Sequence, residues 1–311
     1  MARKQKVALD GLEKFNRISN PTNVLFNLIF IIFSLTCIIP VLLVLAISIT
    51  SEDAIQTSGY HLIPQAFSAD GYLFLLKQGS MIARAFGISL FVTVVGTVLG
   101  VLLTTTMGYA MSRPYYKLKG FLTWLVFIPM VFNGGLVSTY FVVGNLLGLK
   151  NTLGALILPL AVSSFNVIIC KTFFKQTVPD SLIESAKIDG AGQFTIFFRI
   201  VLPISLPLLA TIGLFLCFAY WNDWYQSMLY IDMAELKSLQ AVLNDILTNI
   251  SALQQQIATI GGTEAAEQVA NLPQESARMA IVVIVVLPIA CAYPYFQKYF
   301  ISGLTVGAVK G

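Results

Sequence analysis

The stretch ESAKIDGAGQFTIFFRIVLP, Glu184 to Pro203, sets two acids, a lysine and two glycines between two long apolar runs. Its surroundings limit what it is. Of the 311 residues 57% are apolar and 11% charged, about half the charge of an average soluble chain. The apolar residues gather into six runs at 24–49, 85–111, 120–142, 153–174, 204–226 and 279–297. Each is long enough for the roughly 20 residues that a helix needs to cross a bilayer. Runs this long and continuous satisfy their backbone in lipid only as helices, so the expectation is an all-α membrane protein with six transmembrane helices. The first run is longer than the roughly 7–15-residue core of a cleaved signal and is read as an anchor.

Basic residues set the orientation, because Lys and Arg in short loops stay on the cytoplasmic side. Arg3, Lys4, Lys6, Lys14 and Arg17 precede the first run. Arg113, Lys117 and Lys119 follow the second, and Lys171, Lys175, Lys187 and Arg199 surround the fourth-to-fifth connection. Both termini are therefore expected in the cytoplasm. The segment 227–277, expected outside, carries Asp232, Glu235, Asp245, Glu264, Glu267 and Glu275 against Lys237. The net charge of +4 thus reads as a topology signal, and no basic stripe interleaved with aromatics suggests nucleic acid.

Several chemistries lack their residues. Cys37, Cys170, Cys217 and Cys291 all fall within expected spans without metal-ligand spacing and read as buried thiols. The single histidine, His61, has no second ligand nearby for zinc and no triad partner. The phosphate-cradling GxxxxGK[ST] loop is absent. The spans carry no paired carboxylates of the kind that proton relays use, so an energy source is expected in another subunit.

Within the opening stretch, Ser181 and Glu184 have the spacing of a capping box, which starts a helix at Leu182. Gly190 supplies a left-handed closing position and Gly192 loosens the turn behind it. Phe194, Phe197, Phe198 and Val201 recur at helical spacing, giving a second amphipathic helix along the membrane face before Pro203 opens the next span. Such a hairpin holds Glu184, Lys187 and Asp189 on a rigid base. The plainer reading is a solvated connector with good caps.

The order Glu184, Ser185, Ala186, Asp189, Gly190, then nine residues, then Ile200-Val201-Leu202-Pro203 resembles the EAA motif of importer-type ABC transporter permeases. Ser185 replaces the middle alanine, a small-for-small change. In the family this loop is the coupling helix, docked in a groove of a cytoplasmic ATPase. The resemblance implies that Glu184 pairs with a basic residue of the ATPase, that Ala186 allows close approach and that Gly190 shapes the elbow. "WND" at Trp221–Asp223 after "FLCFAY", and the ending "YFQKYFISGLTVGAVKG", are similar to the smaller permease of a maltose-type carbohydrate-uptake pair. "FNGGLVSTYFVVGNLLGLKNT" and "LPQESARMA" are similar to permeases for complex oligosaccharides and polysaccharide fragments.

The resemblance implies a type I ABC importer permease fold with a cytoplasmic coupling helix, in a bacterial cytoplasmic membrane. It implies a homologous second permease, two ATPase subunits, an extracellular solute-binding protein and a carbohydrate substrate as partners. ATP and Mg would sit on the ATPase subunits, with no cofactor on this chain. The expected divisions are a cytoplasmic segment 1–23, a permease domain 24–299 with the hairpin at 181–201 and the insert at 227–277, and a tail 300–311. In the maltose-type family this tail can reach between the ATPase subunits. The competing reading is a self-sufficient ion-coupled carrier or channel in which 181–201 only connects.

Sugars present apolar CH faces and hydroxyl rims, so aromatics beside hydrogen-bonding groups are candidate path-lining residues. Phe215, Phe218, Tyr220, Trp221, Asn222 and Trp224 form such a set at the outer end of the fifth run. The alternative is an interfacial aromatic belt with Asn222 and Asp223 capping the span. Leu239, Val242, Leu243, Ile246, Leu247, Ile250 and Leu253 make one apolar helical face, expected to pack onto the outer ends of the spans or to help receive the binding protein. Gly261–Gln268 reads as a flexible turn and an exposed polar stretch.

Overall fold

The computed structural model describes residues 20–260 and 273–308. The basic N-terminal residues, the Gly261–Gln268 turn and the end of the tail lie outside the described residues. Within them the regular secondary structure is helical, apart from one isolated bridge between Thr50 and Phe67. It divides into two compact units, Met1–Tyr72 with Pro273–Val283 and Leu73–Leu272 with Ile284–Gly311.

The helices are α1 (Asn20–Ser48), α2 (Glu52–Ser58), α3 (Asp70–Lys77), α4 (Gly79–Ser112), α5 (Lys119–Val131) and α6 (Gly135–Leu146). There follow α7 (Leu153–Ala161), α8 (Ser164–Thr177), α9 (Asp180–Ile188), α10 (Gln193–Ile204), α11 (Leu206–Trp221), α12 (Tyr225–Tyr230), α13 (Leu239–Ile260) and α14 (Gln274–Ala308). Pro21–Ser48, Gly79–Ser112 and Gln274–Tyr295 are each long and apolar enough to cross a membrane unbroken. Counting each of two bent pairs as one span raises the number to five.

The fourth and third apolar runs are therefore interrupted inside stretches that read as continuous helices, and a bend also precedes the fifth span, where Pro203 is expected to open it. Between α7 and α8 the axis turns by 46° at Val162 and Ser163, whose backbones are extended, and Pro159 has already removed one ladder donor. Between α10 and α11 it turns by 85° at Ser205, flanked by Pro203 and Pro207. The fifth span thus opens at Leu206, three residues after Pro203. The third run breaks at Phe132–Gly134, where Asn133 Oδ1 accepts from the Gly135 N–H at 2.9 Å and Gly135 takes a φ of +81°.

In the first unit, Ser51 N–H bonds Ala66 O and Ser68 N–H bonds Ile49 O, each at 2.9 Å. The buried Glu52 carboxylate accepts from the Glu275 and Ser276 N–H groups and from Ser276 Oγ, each at 3.1 Å. It thereby supplies orphan donors of the first turn of α14 with a negative partner.

The second unit is built on α4, whose buried face carries Ala85, Ser89, Thr93, Gly96, Gly100, Thr104, Gly108 and Ser112. Small residues at steps of three and four let neighbouring backbones come close, and α7, α8 and α11 pack here. Gly96 lies against the Tyr220 ring, Gly100 against Ala161 O and Gly108 against Cys170. These contacts fix directions: α7 and α8 run with α4, and α11 runs against it. Ser89 Oγ accepts from the Leu239 N–H at 2.8 Å, and Leu239, Val242, Leu243, Ile246 and Ile250 are buried. The apolar face of α13 therefore packs onto the end of α4 as expected. The side chain of Leu253 lies outside the described residues.

Candidate functional site

The segment 181–201 folds as a helical hairpin, with one change at its start. The helix begins at Asp180, preceded by Pro179, and no side chain caps it. Ser181 sits inside the first turn and its carbonyl accepts from Ser185 Oγ at 2.9 Å, so the expected capping box does not form. The closing end follows the sequence. Gly190 has a φ of +83°, its N–H bonds Lys187 O at 3.0 Å and the Ala191 N–H bonds Ala186 O at 2.9 Å. These two bonds are a Schellman closure, which satisfies the last carbonyls and fixes the exit direction.

The two faces of α9 differ. Ile183 and Ala186 are buried in a core that also holds Tyr109, Phe174, Ile196, Phe197 and Val201. Ala186 thus allows close approach within this chain. Glu184, Ser185, Lys187, Ile188, Asp189 and Gly190 are exposed, with Ile188 at 86% and Phe194 at 81%. On α10 the inward residues are Ile196, Phe197 and Val201, while Phe194 and Phe198 face out and Pro203 is exposed. Residues Ile196–Val201 form a π-helical turn, and Phe197 and Phe198 lie on different faces, one buried and one exposed.

At the base of the hairpin stands Arg113, the C-cap of α4. Its guanidinium donates to Phe174 O at 2.9 Å, Val178 O at 3.2 Å, Asp180 Oδ1 at 2.8 Å and Ser112 Oγ at 3.0 Å. Sequence reading counted Arg113 only as a positive charge. Three of these four acceptors are more than 60 residues away, and no local pattern announces them.

The aromatic set at the end of α11 divides. Tyr220 and Trp221 are buried. Tyr220 Oη donates to Ile157 O at 2.7 Å, and Trp221 Nε1 donates to Val285 O at 3.0 Å. Phe215, Asn222 and Trp224 are exposed and Phe218 is half-buried. Asn222, at the end of α11, donates from Nδ2 back to Phe218 O at 3.0 Å, whereas Asp223 Oδ1 accepts from the Gln226 N–H at 3.3 Å, in the first turn of α12 rather than on the span.

Nearby, the loop before α7 is clasped to the segment after α12. Asn151 Oδ1 accepts from the Asp232 N–H at 2.7 Å, and Lys150 lies 3.0 Å from the Asp232 carboxylate. The hydrogen bond and positive charge of Lys150 hold the Asp232 carboxyl below its ordinary pKa. Next to the clasp, a groove of about 400 Å³ runs between Phe74, Gln78 and Met81 on one side and Lys237, Asp245 and Asn249 on the other.

Residues 96–223 match the family described as "Binding-protein-dependent transport system inner membrane component". The polygalacturonan/rhamnogalacturonan transport system permease protein YtcP of Bacillus subtilis is 37% identical over 281 residues, covering 90% of this chain and 95% of the relative. The chain belongs to this permease family. Protein LplC of the same organism is 39% identical over 274 residues, 88% of this chain and 90% of the relative. The permease also superposes on a chain of a bacterial ABC transporter involved in import of the acidic polysaccharide alginate. The TM-score is 0.77 at 24% identity, with 91% of this chain and 99% of that chain covered, a likeness of fold. A permease of this family is a multi-pass membrane subunit that works with an ATPase and is not itself the catalyst.

Proposed function

We propose that this permease is one of two homologous membrane subunits of a carbohydrate importer, and that it docks an ATPase subunit through the exposed face of the 181–201 hairpin. The observation that carries the reading is the geometry of α9. Ile183 and Ala186 fix it to the chain's own core, Gly190 closes it, and Glu184, Ser185 and Asp189 are left unburied on a short rigid projection. Glu184 pairs there with a basic residue of the ATPase. Exposed Ile188 and Phe194 supply the apolar contact that a docked helix needs at its centre.

In this reading the polypeptide spans the membrane six times, α5 and α6 together forming the third crossing, with both termini in the cytoplasm. The permease domain is 24–299, with the segment 227–277 outside. ATP binding closes the ATPase pair, the hairpin carries the motion, and the spans switch from inward-open to outward-open as a solute-binding protein delivers its cargo. Oligosaccharides or polysaccharide fragments are the proposed cargo, supported by the names of the relatives. Phe215, Phe218, Asn222 and Trp224, which keep accessible side chains, are the path-lining candidates.

A pull-down from native membranes in mild detergent tests the docking surface. Wild type is expected to bring down an ATPase and a second permease, whereas Glu184→Ala and Gly190→Pro lose the ATPase and keep the second permease. Retention of the ATPase by both variants would leave the hairpin a mere connector.

A further inference from the structure

The link between α8 and α9 consists of Val178 and Pro179, both extended, at φ −108°, ψ 95° and φ −62°, ψ 143°. The proline ring fixes one of the four link torsions and narrows the two of Val178, so a hinge rotation of one helix against the other falls on the Val178 φ and the two ψ angles. Arg113 spans that hinge. Its guanidinium bonds Phe174 O before the link, Val178 O within it and Asp180 Oδ1 after it. The side chain is only 13% exposed. One turn earlier, the Tyr109 ring lies 5.3 Å below the guanidinium and packs on Phe174 at 5.8 Å and Phe197 at 5.2 Å. The last turn of α4 thus touches α8, the link, α9 and α10.

We propose that Arg113 is a positioning residue that locks the hinge, so that the hairpin and α4 move as one lever during transport. The inference rests on the reading of 181–201 as the docking hairpin. Without the lock, a push on α9 would be spent in rotations about Val178 and Pro179. With it, the push is delivered to α4, whose small-residue face carries α7, α8 and α11. A planar fork with five N–H donors holds separate acceptors in fixed directions, which the point charge of a lysine does not. Asp180 is 54% exposed, so its ion pair is screened and the two carbonyls are the stronger part of the lock.

The test uses the assembled transporter, with both permeases and the ATPase subunits, in nanodiscs. Spin labels are placed on Thr106→Cys, exposed on α4, and on Gly192→Cys, where an added side chain meets nothing within 4 Å. Cys37, Cys170, Cys217 and Cys291 are replaced in this background. Label distances are measured by pulsed electron resonance without nucleotide and with MgATP and vanadate.

The expected result is one distance in both states with Arg113 present, and a nucleotide-dependent shift with broadening in Arg113→Lys. A shift with Arg113 present overturns the proposal, and so does an unshifted Arg113→Lys that retains its ATPase subunits. If Arg113→Lys does not assemble, Asp180→Asn replaces it, with a smaller shift expected and an unshifted distance again overturning the lock. Failure of the docking reading shows separately, as ATPase subunits that stay bound in Glu184→Ala. The lock falls with it in that case, whereas a failed lock on a sound docking surface shows as ATPase lost in Glu184→Ala together with label distances that contradict the lock.

Discussion

At Gly100 a single added carbon would stand 2.8 Å from the Ala161 carbonyl oxygen and 2.8 Å from a Leu216 methyl. The methyl can turn away, but the backbone oxygen cannot, so Gly100→Ala pushes α4 off α7. Overpacking of this kind costs about 1–3 kcal/mol. The expected outcome is a lower inactivation temperature in detergent, read by a thermal shift assay. Gly87 is the control, since it is also helical on α4 and a Cβ there meets nothing within 4 Å. Gly87→Ala is expected to leave the temperature unchanged or raise it slightly, because alanine is favoured over glycine in a helix by up to about 1 kcal/mol. The ladder of small residues from Ala85 to Ser112 stands openly in the sequence at helical spacing. It escaped a reading of that run for hydropathy, which scores glycine and threonine as weak apolar residues and ignores which face they share. Glu52 is different in kind: its partners Glu275 and Ser276 are more than 220 residues away, and no local pattern connects them.

Among the elements, the hairpin shows which local signals survive folding. The glycine signal does, because a φ of +83° at Gly190 is a backbone demand that few other residues meet. Gly190→Ala is expected to cost about 1–2 kcal/mol in strain, hence up to about thirtyfold in ATPase affinity if the elbow yields. Gly190→Asn should lose less, since asparagine tolerates the left-handed region. Gly192→Ala should lose nothing, its backbone being extended and its surroundings open. Titration of ATPase onto permease in nanodiscs reads all three, and equal affinities for Gly190→Ala and wild type would refute the strained elbow. The capping-box signal does not survive, because Asp180 is drawn into the first turn by Arg113 and the helix starts earlier than Ser181. Of the bends, the one before α11 is announced by Pro203, whereas the one between α7 and α8 falls inside a run that reads as continuous. Pro159, Pro203 and Pro207 mark where ladder donors are missing, and the axis turns by 46° and 85° near them.

For the molecule as a whole, the contacts of α4 decide how many times the chain turns back. Near its start α4 meets Leu239 through Ser89, and at its end Arg113 meets Asp180. The clasp joins Asn151 to Asp232, and Tyr220, beside Gly96, bonds Ile157. Residues 150–157 therefore belong with the Ser89 half of α4 and residues 174–180 with its Arg113 end. The intervening residues 114–149 have to return the chain from one end to the other, although the break at Phe132–Gly134 leaves neither α5 nor α6 long enough to cross unaided. If that return is a membrane crossing, Lys117 and Lys187 share one side and Lys150 and Glu235 the other. Single cysteines at these four positions, in a cysteine-free background, are expected to separate cleanly with a membrane-impermeant maleimide. Lys150→Cys and Glu235→Cys should label on intact cells, and Lys117→Cys and Lys187→Cys only after permeabilisation. Labelling of Lys150→Cys together with Lys117→Cys would make α5 and α6 a re-entrant pair on one face. The basic loops of the sequence favour the first pattern, because they alternate as a third crossing requires.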